Sequence, residues 1–113
     1  MDTIKSRAEF EKVFFSGRKA SCPLLRITVL HDEGAPGRVA FVAARKLGTA
    51  VFRNRSKRVL REAARTVGLP REGWQTILFA TPKTATAAPE ELAEALRGLL
   101  SRVEGGSRGQ AAT

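Results

Sequence analysis

Residues 38–80, RVAFVAARKLGTAVFRNRSKRVLREAARTVGLPREGWQTILFA, carry the alternation that decides the fold. Across residues 38–44, Val39, Phe41 and Ala43 alternate with Ala40 and Val42, the two-residue period of a strand. A helix follows over about residues 50–67, with Thr49 as its cap and Gly68 and Pro70 ending it. At the helical period Val59, Leu60, Ala63, Ala64 and Val67 cluster on one face, and Asn54, Lys57, Arg58, Arg61 and Arg65 fall opposite. Residues 75–80, with Thr76, Ile77, Leu78 and Phe79, read as a further strand that Trp74 anchors. Strand, helix, strand in this order calls for a parallel crossover, right-handed by the usual chirality.

Outward from this unit, residues 24–30 alternate Leu25, Ile27 and Val29 against Arg26 and Thr28, a half-buried strand. The turn-forming HDEGAPG joins it to residues 38–44, so these two runs are expected to pair antiparallel. Upstream, Ser6 and Glu9 form a capping-box pattern before Phe10, Val13 and Phe14, and Gly17 reads as a left-handed helix stop. Downstream, Pro89, Glu90 and Glu91 suit a helix start, and Leu92, Leu96, Leu99, Leu100 and Val103 recur at helical spacing. The expectation is one domain over residues 1–103, with helices on one face of a small mixed sheet and a disordered tail over 104–113. A further strand in an irregular segment is left open.

The charge is distributed unevenly. The chain of 113 residues has a net charge of +9 and a pI near 11.1. Residues 45–65 hold eight basic side chains and the single acid Glu62, while residues 66–113 are neutral. A localised surplus opposes compaction by self-repulsion and points to an anionic partner, nucleic acid ahead of membrane. Guanidinium forks match phosphate oxygens, and a helix start adds free amides and the positive end of a dipole. Arg53, Asn54, Arg55, Lys57, Arg58, Arg61 and Arg65 are therefore read as an anion-binding ridge. If about six of them meet phosphates, log affinity falls with log salt at a slope of roughly 4 to 5. Gly48 precedes the helix without the spacing of a nucleotide-binding loop and reads as a turn residue.

Cys22 and His31 are the only residues of their kinds, so neither a disulfide framework nor a structural zinc site is expected. No apolar run approaches the ~20 residues of a membrane span, and the opening MDTIKSRAEF has no signal core, which predicts a cytoplasmic setting. Phe10 and Phe14, one helical turn apart, read either as core or as rings stacking on an unpaired base, with Lys12, Arg18, Lys19 and Arg26 nearby for its backbone. The acids are scattered, His31 lies in a turn, and no general base or metal cluster is legible. If the protein takes part in catalysis, another molecule is expected to supply the active site. A noncatalytic module for structured RNA and a self-sufficient nuclease are the alternatives.

ARKLGTAVFRNRSKRVLREAAR resembles the signature of the bacterial ribonuclease P protein subunit, and FEKVFFSGRKA is similar to that family's first helix and following loop. With WQTILFA and the Leu-rich last helix, the resemblance covers about residues 4–103. It implies an α+β fold: a single-domain α/β sandwich of a four-stranded mixed sheet and three helices, with a left-handed βαβ crossover like that of a ribosomal protein domain. It further implies the accessory subunit of a ribonucleoprotein endonuclease that removes the 5′ leader of precursor tRNA. Hydrolysis would be carried out by the RNA subunit with Mg2+ held mainly by that RNA, and no obligate protein partner is evident. By matching position, Arg45, Lys46, Arg53, Asn54, Arg55, Lys57, Arg58 and Arg61 would face the catalytic RNA. Phe10, Lys12, Val13 and Phe14 would line the cleft for the single-stranded leader. The chain departs from the family pattern at Cys22 and Pro23, at Thr28 in place of an aromatic, at Ala44 and Thr49, and at Thr81 in place of an Arg.

Overall fold

A computed structural model describes the backbone of residues 3–112 and the side chains of residues 3–103. The first helix, α1 (Arg7–Ser16), begins where Ser6 Oγ accepts a hydrogen bond from the Glu9 amide at 3.0 Å. Only this half of the capping box closes, because the Glu9 carboxylate pairs with Arg38 instead. The strands are β1 (Arg18–Cys22), β2 (Leu25–His31), β3 (Arg38–Val42) and β4 (Trp74–Ala80). A single-turn 3-10 helix (Arg45–Leu47) and α2 (Ala50–Thr66) link β3 to β4, and a second 3-10 turn (Thr84–Thr86) leads to α3 (Pro89–Ala112). The tail expected from Glu104 falls on residues 104–113, whose side chains lie outside those described.

The sheet order is β1-β2-β4-β3. β1 and β2 form a tight hairpin with Cys22 opposite Leu25. Its strand β1 is the element left open by the sequence, because RKASC has too few apolar residues to show a period. The antiparallel pairing expected between β2 and β3 does not form: β4 lies between them, antiparallel to β2 and parallel to β3. Parallel neighbours need a long crossover, and α2 provides it. Buried Thr81 and Thr84 hold the hairpin turn, their hydroxyls donating to the carbonyls of Pro23 and Leu24 at 2.6 Å each.

Contrary to the expectation from the sequence, the helices do not share one face of the sheet. α2 and α3 pack on Leu25, Ile27, Val29, Val39 and Leu78, and Leu60, Leu92, Leu96 and Leu99 complete that core. α1 packs on the opposite face against β2 and β4, where Val13 is fully buried. Gly17 ends α1 with extended backbone at φ −77°, not with the left-handed stop expected. Glycine is needed there for closeness: a Cβ would stand 2.6 Å from the Val13 carbonyl oxygen and 2.8 Å from Thr28 Cγ2. Gly17→Ala is expected to cost about 1–3 kcal/mol by overpacking. Gly98→Ala, on an open helix surface, is expected to stabilise by up to about 1 kcal/mol. Urea midpoints of the two variants check both signs.

Candidate nucleic-acid interface

Thr49 Oγ1 accepts from the Phe52 amide at 3.2 Å, so α2 begins at Ala50 with its free amides beside exposed Arg45 and Lys46. Ser56, Leu60, Ala63 and Ala64 form the buried stripe of α2. Ser56 fits it because its hydroxyl donates to the Phe52 carbonyl at 3.0 Å. Asn54, Arg55, Arg58, Arg61 and Arg65 are exposed on the opposite side. Asn54, Arg55 and Arg58, with Val51 and Val59, line a shallow concavity on the helix surface.

Two members of the expected ridge sit apart from it. Arg53 lies seven residues before Leu60, hence on the buried side of the helix, and its Nε donates to the Gly48 carbonyl at 3.3 Å. Lys57 is also half-buried, at the flank. Arg61 is braced by an aromatic ring the sequence did not signal, its guanidinium carbon 5.3 Å from the centroid of Phe41. Arg65 pairs with Glu62 at 3.0 Å, which places a counter-charge at the far end of the ridge.

The other face of the sheet carries a groove of about 300 Å³, lined among others by Phe14, Lys19, Ser21, Arg26, Thr28 and Phe79. It exists because α1 covers only part of that face. Ser21, Arg26, Phe79 and Val42 follow one another in register across all four strands. Val42 ends β3 three residues before Arg45, so the groove floor and the start of the basic segment share one end of the sheet.

Of the four residues assigned to a leader cleft, the structure brings only Phe14 to the groove wall. Val13 is 0% exposed and belongs to the core beneath α1, so it cannot line a cleft. Phe10 is half-buried and lies parallel to Phe14, with centroids 6.3 Å apart. Lys12 extends to Asp32, 3.6 Å away. Phe79 also lines the groove, a position missed by the sequence reading although the two-residue period of β4 sets residue 79 on the side opposite Leu78. Thr28, in place of the family's aromatic, is a buried part of the groove floor.

A family model for ribonuclease P matches residues 1–104. The chain belongs to the ribonuclease P protein family. A ribonuclease P protein component of Dehalococcoides mccartyi (strain CBDB1) is 35% identical over 101 residues, covering 89% of this chain and 83% of that protein. One from Symbiobacterium thermophilum is 38% identical over 101 residues, covering 88% of each. The fold is that of the ribonuclease P protein of Thermotoga maritima, with a TM-score of 0.75 at 23% identity, covering 91% of this chain and 98% of that one. It is also that of the Staphylococcus aureus protein, with a TM-score of 0.74 at 20% identity, covering 89% and 94%. This chain is accordingly a protein component of ribonuclease P, an endoribonuclease complex that processes tRNA, and it associates with the ribonuclease P RNA.

Among the described residues, no three His, Cys, Asp or Glu side chains converge as a metal site, and no helix is long and apolar enough to cross a membrane. In titrations of the ribonuclease P RNA over a salt series, Arg55→Ala and Arg58→Ala should each lower the log–log slope by just under ~1. Arg65→Ala should change it least, because Glu62 already screens that guanidinium.

Proposed function

We propose that the two surfaces divide the work of this subunit. The exposed face of α2, with Arg45 and Lys46 before it, binds the ribonuclease P RNA, and the groove beside α1 holds the unpaired 5′ leader of precursor tRNA. The observation that carries this reading is their placement: a basic helix face and an aromatic, cation-rimmed groove meet at one end of the sheet, through Val42 and Arg45. Phosphates of a folded RNA are attracted to the first, where among the described residues Glu62 is the one acid on the helix. A single strand suits the second, because bases stack on rings while cations follow the backbone.

In this reading the protein performs no bond cleavage. The RNA subunit, with the Mg2+ it holds, carries out hydrolysis of the phosphodiester between leader and tRNA. The protein screens the repulsion between two polyanions, so that less Mg2+ is needed for substrate to bind.

The test is cleavage of a precursor tRNA at low Mg2+ by a bacterial ribonuclease P RNA, by this protein, and by both together. Cleavage is expected to be fastest with both and absent with the protein alone. Tight binding without any gain over RNA alone would favour a noncatalytic structured-RNA module. Cleavage by the protein alone would mean a self-sufficient nuclease.

A further inference from the structure

The groove holds one aromatic ring and one cation that other groups leave largely unengaged. Phe14 is not that ring. Phe10 lies parallel to it, Phe15 meets it edge-on at 5.2 Å, and Lys19 Nζ stands 4.6 Å from its centroid while donating to the Phe14 carbonyl. Phe79 has a single ring contact among the described residues, with Phe14 at 6.0 Å and 60°. It is half-buried and lines the groove, so it can be reached from there. Arg26 is exposed, lines the same groove, and makes no hydrogen bond or ion pair with a described residue. The two are register partners across β2 and β4, which sets their Cβ atoms roughly 5 Å apart on one face.

We propose that Phe79 and Arg26 form the seat of one unpaired leader nucleotide, its base against the Phe79 ring and its phosphate on the Arg26 guanidinium. The proposal rests on the reading of the groove as the place of the leader and assigns its contact point. Buried Thr28 supplies the floor beside Phe79, and Lys19 and Ser21 close the far wall. A ring face accepts any base, so the seat fixes where the leader lies without reading its sequence. Phe14 is then a wall that keeps Phe79 in place, a positioning residue.

The experiment uses the reconstituted complex of protein and ribonuclease P RNA. Its substrates are precursor tRNAs that carry a single abasic site at successive leader positions, together with a leaderless tRNA. Stacking of one base is worth about 5- to 100-fold in affinity. Phe79→Leu is expected to weaken binding of the intact precursor about 5-fold or more. At one leader position the abasic substrate should bind as weakly, and there Phe79→Leu should add nothing. Phe79→Tyr should restore affinity, and Arg26→Gln should lower it for every base.

Equal binding of the intact precursor by wild type and Phe79→Leu would overturn the assignment. So would a loss that is the same at every abasic position or persists with leaderless tRNA, since a ring that only supports the fold has no position in the leader. If wild type itself binds leaderless and intact substrates equally, the reading of the groove falls and the assignment with it.

Discussion

Strand β4 is the constraint on which the molecule depends. It is bonded along its whole length to β2 and in parallel to β3, and a parallel neighbour has to be reached by a crossover. That crossover is α2, so the pairing of β3 with β4 is what carries the basic helix onto the sheet. The two-residue period of β4 then divides its side chains. Leu78 faces α2 and α3 in the main core, while Ile77 and Phe79 face the side that α1 only partly covers. A slip of one residue would exchange these sets, placing Leu78 in the groove and Phe79 in the core.

The groove follows from how α1 is held. Glu9 with Arg38 and Lys12 with Asp32 tie the helix toward one end of the sheet, and close contact at Gly17 turns the chain into β1. Such surface pairs contribute at most about 1 kcal/mol each, so their effect is chiefly on orientation, while buried Val13 anchors the helix. The ten residues of α1 end beside Phe14, and the remaining width of sheet stays open. The charges of α2 have a related origin. A helix whose buried stripe is as narrow as Ser56, Leu60, Ala63 and Ala64 leaves most of its circumference to solvent, and arginines occupy it.

Much of this was legible along the chain. The caps Ser6 and Thr49, the apolar stripe of α2 and the strands around Ile27 and Leu78 are local patterns, set by periods of 3.6 and 2 residues. Other features were not. β1 is held by pairing with β2 and by α3 packed on it, not by any pattern of its own, and an antiparallel β2–β3 pair looked natural because those strands adjoin in sequence. Gly17 looked like a conformational stop, whereas a carbonyl from the preceding turn and a methyl from β2 exclude its Cβ. Val13 and Phe14 are neighbours on one helix, yet one is core and the other a groove wall, a difference that depends on what lies beneath each.

The sequence by itself determined the family, the concentration of positive charge between Arg45 and Arg65 and the face of α2 that carries it, because charge, motif and helical period are properties of consecutive residues. Only the tertiary structure decided that β4 would part β2 from β3, that Arg53 would turn back toward Gly48, and that Phe79 would meet Arg26 on the groove floor. Arg26 and Phe79 lie far apart in the chain, and the hydrogen-bond register that joins them is chosen by burial of the whole sheet, not by either residue's neighbours.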